Sequence, residues 1–345
     1  GGTGGATGGT GGAAGGTGGT GGETGGTGGQ QPPVEPDPDL IGWAAWPGTG
    51  WNGVTLDTTT GGGNATPVTV TSMIELNTLA AGDTPAVIHV SGQLTGEARI
   101  IGSNKTIIGL PGARIDGALI IGPLDAAEAA VSALLDNQEG GVHNIIVKNL
   151  TIQGGEDTIN INYSHHIWID HLDITDGSDG LIDIVRASDF ITVSYTKIHY
   201  HRGGAHRLAS LVGNRNDLGA IDTDRLRVTF HHNYWGSGIQ GRQPRARFGK
   251  LHLFNNLHDN GAKYAVRCGV HVSILSERNI YVGQSAFNYE DSSADACLKS
   301  VEDSFVNSGS TGGRNEDSVF EPPYPYTPDP TEGLREILEA EVGPK

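Results

Sequence analysis

The chain has 345 residues, yet 18 of its 55 glycines fall in the first 29 positions, in Gly-Gly-Thr runs with no aliphatic side chain larger than Ala. That segment buries almost nothing against the backbone entropy of a glycine chain, so the folding unit starts near residue 40 and is about 300 residues long. A formal net charge of −17 argues against nucleic acid as a partner, and without an apolar run near 18 residues no membrane span is expected.

Residues 1–39 are expected to be a disordered linker, stiffened near its end by the prolines of Gln-Gln-Pro-Pro-Val-Glu-Pro-Asp-Pro-Asp (30–39). By random-coil scaling it reaches on the order of 35 Å. Such a tether suits a secreted or cell-surface protein, and the missing initiator Met and signal peptide point to a processed or trimmed chain. Residues 40–345 are expected to form one domain. At its start, residues 71–81 have a Thr/Ser opening and apolar spacing suited to a short capping helix.

From Ile145 onward one short apolar pattern recurs. Ile-Ile-Val-Lys-Asn-Leu-Thr-Ile (145–152) is matched 22 residues later by Ile-Trp-Ile-Asp-His-Leu-Asp-Ile (167–174), and after another 24 by Ile-Thr-Val-Ser-Tyr-Thr-Lys-Ile (191–198). Related segments start at Val228 and Leu251, and a last one ends at Ile280. Alternating, β-branched runs with polar breaks predict a strand in each repeat. A period of 22–24 residues without a Leu framework or helical return predicts a parallel β-helix over a leucine-rich horseshoe. Asn233, Asn256 and Asn279 are spaced 23 residues apart, which predicts an asparagine ladder with one amide per coil. The gap before Val228 is 37 residues, leaving an insertion of roughly 14 around 201–224 as a candidate cleft wall. Residues 332–342 are a second helical cap. Cys268 and Cys297 are too few for a disulfide scaffold, and one disulfide or two buried thiols both fit.

Asp157 and Asp179 are 22 residues apart, the coil period, which predicts stacked carboxylates; Asp183, an even step beyond Asp179, points to the same side. Stacked like charges need a counterion, and an all-oxygen set favours Ca²⁺ over Mg²⁺. Asp173 and Asp176 lack the spacing of a calcium helix-loop-helix and are ordinary turn residues. Three arginines, Arg242, Arg245 and Arg247, lie within six residues of a strongly acidic protein; they repel unless an anion sits among them or local Asp residues pair with them. His165, His166, His199, His201, His231 and His232 occupy strands where neighbours face opposite ways, so they are expected to be structural or exterior residues rather than zinc ligands. His171 is expected to pack near the cleft.

Trp-Ile-Asp-His (168–171), Asp-Gly-Leu-Ile-Asp-Ile (179–184), His-His-Asn-Tyr-Trp (231–235) and above all Arg-Gln-Pro-Arg-Ala-Arg-Phe-Gly (242–249) together resemble the pectate lyase superfamily, over most of residues 40–340. The resemblance implies an all-β, right-handed parallel β-helix and a monomer that cleaves polygalacturonate by β-elimination. It implies Asp157, Asp179 and Asp183 as Ca²⁺ ligands, Arg242 as the proton-abstracting base, Arg247 as a substrate-carboxylate arginine, and Arg245 beside them in the substrate site. The family commonly has a lysine where this chain has Leu208, and the adjacent Arg207 is the candidate substitute. A pectin lyase would share the fold and arginine but act on methyl-esterified substrate without calcium. A polygalacturonase would need a Gly-His-Gly segment, absent here, and a noncatalytic β-helix adhesin would need neither charged cluster.

Overall fold

The computed structural model describes residues 34–123, 141–203, 206–310 and 312–345. Most of the expected linker lies outside the described residues. Its described end is attached, since Asp37 pairs with Lys148 at 2.9 Å and Leu40 is buried beside Ile146 and Trp168.

Each repeat expected as one strand is in fact two strands joined at a corner. His143–Lys148 is followed by Thr151–Gln153, His165–Asp170 by Asp173–Thr175, and Asp189–Ser194 by Lys197–His199. The corner residue has a left-handed backbone in coil after coil: Asn149, His171, Tyr195, His232, Asn255, Arg278 and Glu302 have φ between 44° and 57°. Left-handed backbone is disfavoured for most of these residue types, which is why the corner left no residue signature. A third strand completes each coil, as in Asp157–Asn162 and Gly180–Val185. The described coils thus stack into three parallel sheets of ten, nine and eight strands, a parallel β-helix.

Stacking puts like on like. Ile145, Ile167, Ile191, Val228, Leu251, Ile274 and Leu298 are register partners in one sheet, and all are fully buried. Each such side chain contributes roughly 1.5–3 kcal/mol on leaving water. The asparagine ladder is present. Asn233 Nδ2 donates to Asn256 Oδ1 at 3.0 Å, and Asn256 Nδ2 to Asn279 Oδ1 at 2.9 Å. It runs further than the asparagines: Asn279 Nδ2 donates to Asp303 Oδ1 at 3.1 Å, and Asn233 Oδ1 accepts the Thr196 N–H at 3.0 Å.

Both helical caps form. Helix α1 (Met73–Ala80) opens with a capping box in which Ser72 Oγ accepts the Glu75 N–H and Glu75 accepts the Ser72 N–H. The C-terminal helix Leu334–Glu341 lays Leu334 and Leu338 over Leu257 and Ile280. The insertion is not one loop. Strand Ser210–Val212 divides it and joins the third sheet between Gly180–Val185 and Arg245–Ala246, so residues 206–209 flank one end of that strand and residues 213–226 the other. Cys268 and Cys297 are both free and buried.

Adjacent histidines do not face opposite ways. His166 and His232 have φ of 55° and 54°, and this turn brings the Nδ1 atoms of His165 and His166 to 2.8 Å and those of His231 and His232 to 3.0 Å. Their structural role stands on other grounds. Burial and neighbouring imidazoles hold His165 down to about 3, and His166 bonds the Trp46 carbonyl at 3.1 Å. His171 sits at the corner between the first two sheets, stacked on Tyr195 and bonded to Asp170 at 2.8 Å, away from the acidic strands of the third.

Candidate active site

The third sheet carries the charged residues on its strands in a defined sequence. One register column runs Arg99, Ile120, Asn160, Asp183, Leu211, Arg245, Arg267, Asn288. Parallel strands lie about 4.8 Å apart, so the acidic rung of Asp183 and the basic rung of Arg245 are separated by one apolar rung, about 10 Å of backbone.

Asp157 and Asp179 are not stacked partners. Asp157 pairs with Gly180 and Asn160 with Asp183, because this coil takes 23 residues and the equal spacing of 22 is off by one. Asp179 instead lies in the turn before the strand, its N–H bonded to the Glu156 carbonyl at 2.9 Å. Its side chain is exposed and pairs with His206 at 3.1 Å. The two carboxylates that do converge are Asp157 and Asp183, on either side of Gly180. A Cβ there would stand 2.7 Å from Asp157 Oδ1 and 3.3 Å from Asp183 Oδ1, so glycine is needed for the approach.

That convergence is relieved only in part by its neighbours. Burial pushes the Asp183 carboxyl well above its usual range and the Asp157 charge pushes it further, against the pull of Arg242. Asp157 is raised by burial, with its Asn160 hydrogen bond opposing. Asp157 Oδ1 is buried with no hydrogen-bond partner among the described residues, while Oδ2 accepts from Asn160 at 3.1 Å. An orphaned buried carboxylate oxygen facing a second carboxylate suits a hard cation. Among the described residues no three acidic, His or Cys side chains are gathered as a preformed metal cluster. The fit therefore rests on Asp157 and Asp183, with Asp179 at the rim.

Arg242 faces this pair. It has a left-handed backbone with φ of 59°, its carbonyl accepts the Ser210 N–H at 2.7 Å, and it acts electrostatically on both Asp157 and Asp183. Among the described residues its guanidinium has no hydrogen bond or ion pair. The other arginines are more tied down. Arg247 is buried and donates to Asn216 Oδ1 at 2.6 Å and the Gly213 carbonyl at 2.7 Å. Burial and the charges of Arg245, Arg242 and Arg267 lower it to about 10. Arg245 pairs with Asp291 at 3.4 Å, so part of the cluster does find a local anion. Arg207 lies in the wall before strand Ser210–Val212, its carbonyl bonded to the Gln240 N–H at 2.8 Å.

Two further residues of this surface are not among those the sequence singled out. Arg267 stacks on Arg245 and shares Asp291 at 2.7 Å; stepping one coil from Arg245 would have pointed to it. Tyr200 donates to the Leu208 carbonyl at 2.8 Å, and burial followed by the charges of Asp157 and Asp183 raises its hydroxyl.

A carboxylate pair opposite an arginine on a parallel β-helix is an arrangement suited to an acidic substrate. Among solved structures, a pectate lyase from Bacillus sp. N165 in complex with trigalacturonate has a TM-score of 0.68 at 21% identity, covering 88% of this chain and 98% of that one. Jun a 1, the major allergen from cedar pollen, has a TM-score of 0.63 at 22% identity, covering 86% and 93%. These likenesses show the fold. A probable pectate lyase B of Aspergillus flavus is 33% identical over 282 residues, 78% of this chain and 79% of the relative. Pectate lyase B of Colletotrichum gloeosporioides is 33% identical over 287 residues, 78% of each chain. With residues 41–313 matching the pectate lyase family, this chain belongs to that family and is a polysaccharide lyase.

Proposed function

We propose that the chain cleaves de-esterified polygalacturonate outside the cell by calcium-assisted β-elimination, as a monomer. The observation that carries this is Arg242, without a partner among the described residues, set across from the desolvated pair Asp157 and Asp183. Calcium held by Asp157, Asp183 and Asp179 would supply Lewis-acid stabilisation of the substrate carboxylate. Arg242, acting in its deprotonated form, takes the proton from carbon-5 of the galacturonate, the electron pair forms the C4–C5 double bond, the C4–O bond breaks, and the departing sugar oxygen takes a proton from water. Arg247 orients the substrate carboxylate with the guanidinium N–H groups left over from Asn216 and Gly213, while Arg245 and Arg207 contact neighbouring acidic groups. With its backbone fixed by Ser210 and the buried Gln243 that follows, Arg242 meets the proton with little reorganisation.

A pectin lyase without calcium is the second reading, and the Asp157–Asp183 pair, raised by burial despite Arg242, counts against it. Conjugated product absorbing in the ultraviolet from polygalacturonate, lost in a chelator and restored by calcium, is the expected result. Products without that absorbance, or chelator-resistant cleavage confined to methyl-esterified pectin, would overturn the proposal. No helix among the described residues is long and apolar enough to cross a membrane.

A further inference from the structure

We infer that the wall of loops beside Arg242 holds a second, purely cationic subsite, centred on Lys263, which binds free carboxylates of the same polyuronate at sugars away from the cleaved bond. The inference rests on the polygalacturonate reading above. A groove of about 630 Å³ runs along this wall, lined among others by Arg207, Gln240, Lys263 and Tyr264. Among the described residues no Asp or Glu lines it, in a protein with a net charge of −17. The other large groove, about 660 Å³, mixes Arg225, Arg227 and Lys250 with Asp224 and Asp295 and so neutralises itself.

Three successive coils build the wall in register. The Gln240 N–H donates to the Arg207 carbonyl at 2.8 Å and the Lys263 N–H to the Gln240 carbonyl at 3.3 Å. Arg207 and Lys263 therefore stand two rungs apart, about 10 Å along the helix axis, with an uncharged residue between them. A linear polyanion lying along that axis presents acid groups to both. Neither cation is neutralised internally. Arg207 Nε is buried with no hydrogen-bond partner among the described residues, and Lys263 is exposed with no ion pair or side-chain hydrogen bond among them.

The groove is also held rigidly to the reaction site. Buried Gln243, next to Arg242, accepts from Asn260 Nδ2 at 2.7 Å and donates to the Tyr264 carbonyl at 3.3 Å, while its own N–H bonds the Ala265 carbonyl. Tyr264 packs on Gly241, where a Cβ would fall 2.8 Å from the ring. The loop carrying Lys263 thus cannot shift without moving the segment that carries Arg242. One polysaccharide chain can engage both at a fixed offset, which makes Lys263 a specificity residue for unesterified substrate and not a catalytic one.

The test is Lys263→Gln beside Lys263→Arg and Lys250→Gln, each read two ways: retardation in a gel containing polygalacturonate, and steady-state elimination on the same polymer. Lys263→Gln is expected to raise the apparent Kd and KM about three- to fivefold with kcat unchanged, an effect shrinking at high salt, as for one solvent-accessible charge. Lys263→Arg should restore both, and Lys250→Gln should change neither. Unchanged retardation in Lys263→Gln, or an equal loss in Lys250→Gln, would overturn the subsite. Because retardation needs no turnover, a wild-type chain that binds polygalacturonate but forms no unsaturated product would sink the lyase reading while leaving the subsite to be judged on binding alone.

Discussion

The inner amide ladder and the outer face of the third sheet are built on the same stacked rungs, yet they use polar groups in opposite ways. Inside, Asn256 donates to the Phe230 carbonyl at 2.8 Å and to Asn279, and accepts from Asn233, so the buried amide is saturated. Outside, Asp157 Oδ1 has no partner among the described residues and Asp183 is held protonation-prone by burial beside a like charge. The first arrangement stabilises the coil stack. The second leaves an electrostatic demand that Arg242 offsets only in part and that a bound cation or a proton would relieve, its cost borne by the core around it.

The sharpest way to break this comparison is Arg242→Ala. Turnover of polygalacturonate should fall by about 10²–10⁴-fold, as for loss of a general base, with thermal stability and polymer retention in a gel unchanged. A parallel drop in melting temperature would place Arg242 with the structural groups instead. Asn256→Ala should do the reverse. It strands the Asn233 N–H groups and the Phe230 carbonyl, at about 1–3 kcal/mol for each group left unpaired, so chemical denaturation should report a loss of about 3 kcal/mol or more.

Asp303 sharpens the contrast, since it ends the saturated ladder with a carboxyl. It accepts from Asn279, Ser276 and Ser300, but burial dominates and raises it from 3.8 to about 6. The folded state then binds more protons than the unfolded chain between those values. This contribution to stability is complete below the unfolded pKa and is lost as pH rises through about 6. Asp303→Asn should flatten the decline between pH 4 and pH 6 by on the order of 2 kcal/mol, as seen in denaturation midpoints across that range; an unchanged slope would remove Asp303 as its source. The smallest expected effect is that of Asp183→Asn, which should raise the calcium concentration needed for half-maximal activity by at least about tenfold. A variant with the wild-type calcium requirement would exclude Asp183 as a ligand.

Much of this molecule was legible without coordinates because a β-helix repeats its chemistry along the chain. The ladder from Asn233 to Asn279, both helical caps and the arginine run were all readable as spacing. What failed was register at single-residue precision. A spacing of 22 residues suggested that Asp157 and Asp179 stack, but coils here vary in length, and the one-residue difference puts Gly180 opposite Asp157 and Asp179 in a turn. The corner residues were hidden for a related reason: Asn, His, Tyr, Arg and Glu share a backbone conformation there and no side-chain property. Likewise, strand Ser210–Val212 vanished into an apparent insertion because three residues carry too little periodicity to register.

The amino-acid order alone determined that this chain winds into stacked parallel strands and gathers acids and arginines in neighbouring coils, since hydrophobic period and residue type are local properties. Only the tertiary structure decided which two carboxylates meet across Gly180, that Arg247 is tied to Asn216 while Arg242 is left without a partner among the described residues, and that Lys263 stands two rungs from Arg207. Those facts depend on loop lengths between strands, and each added or lost residue changes which side chains share a rung.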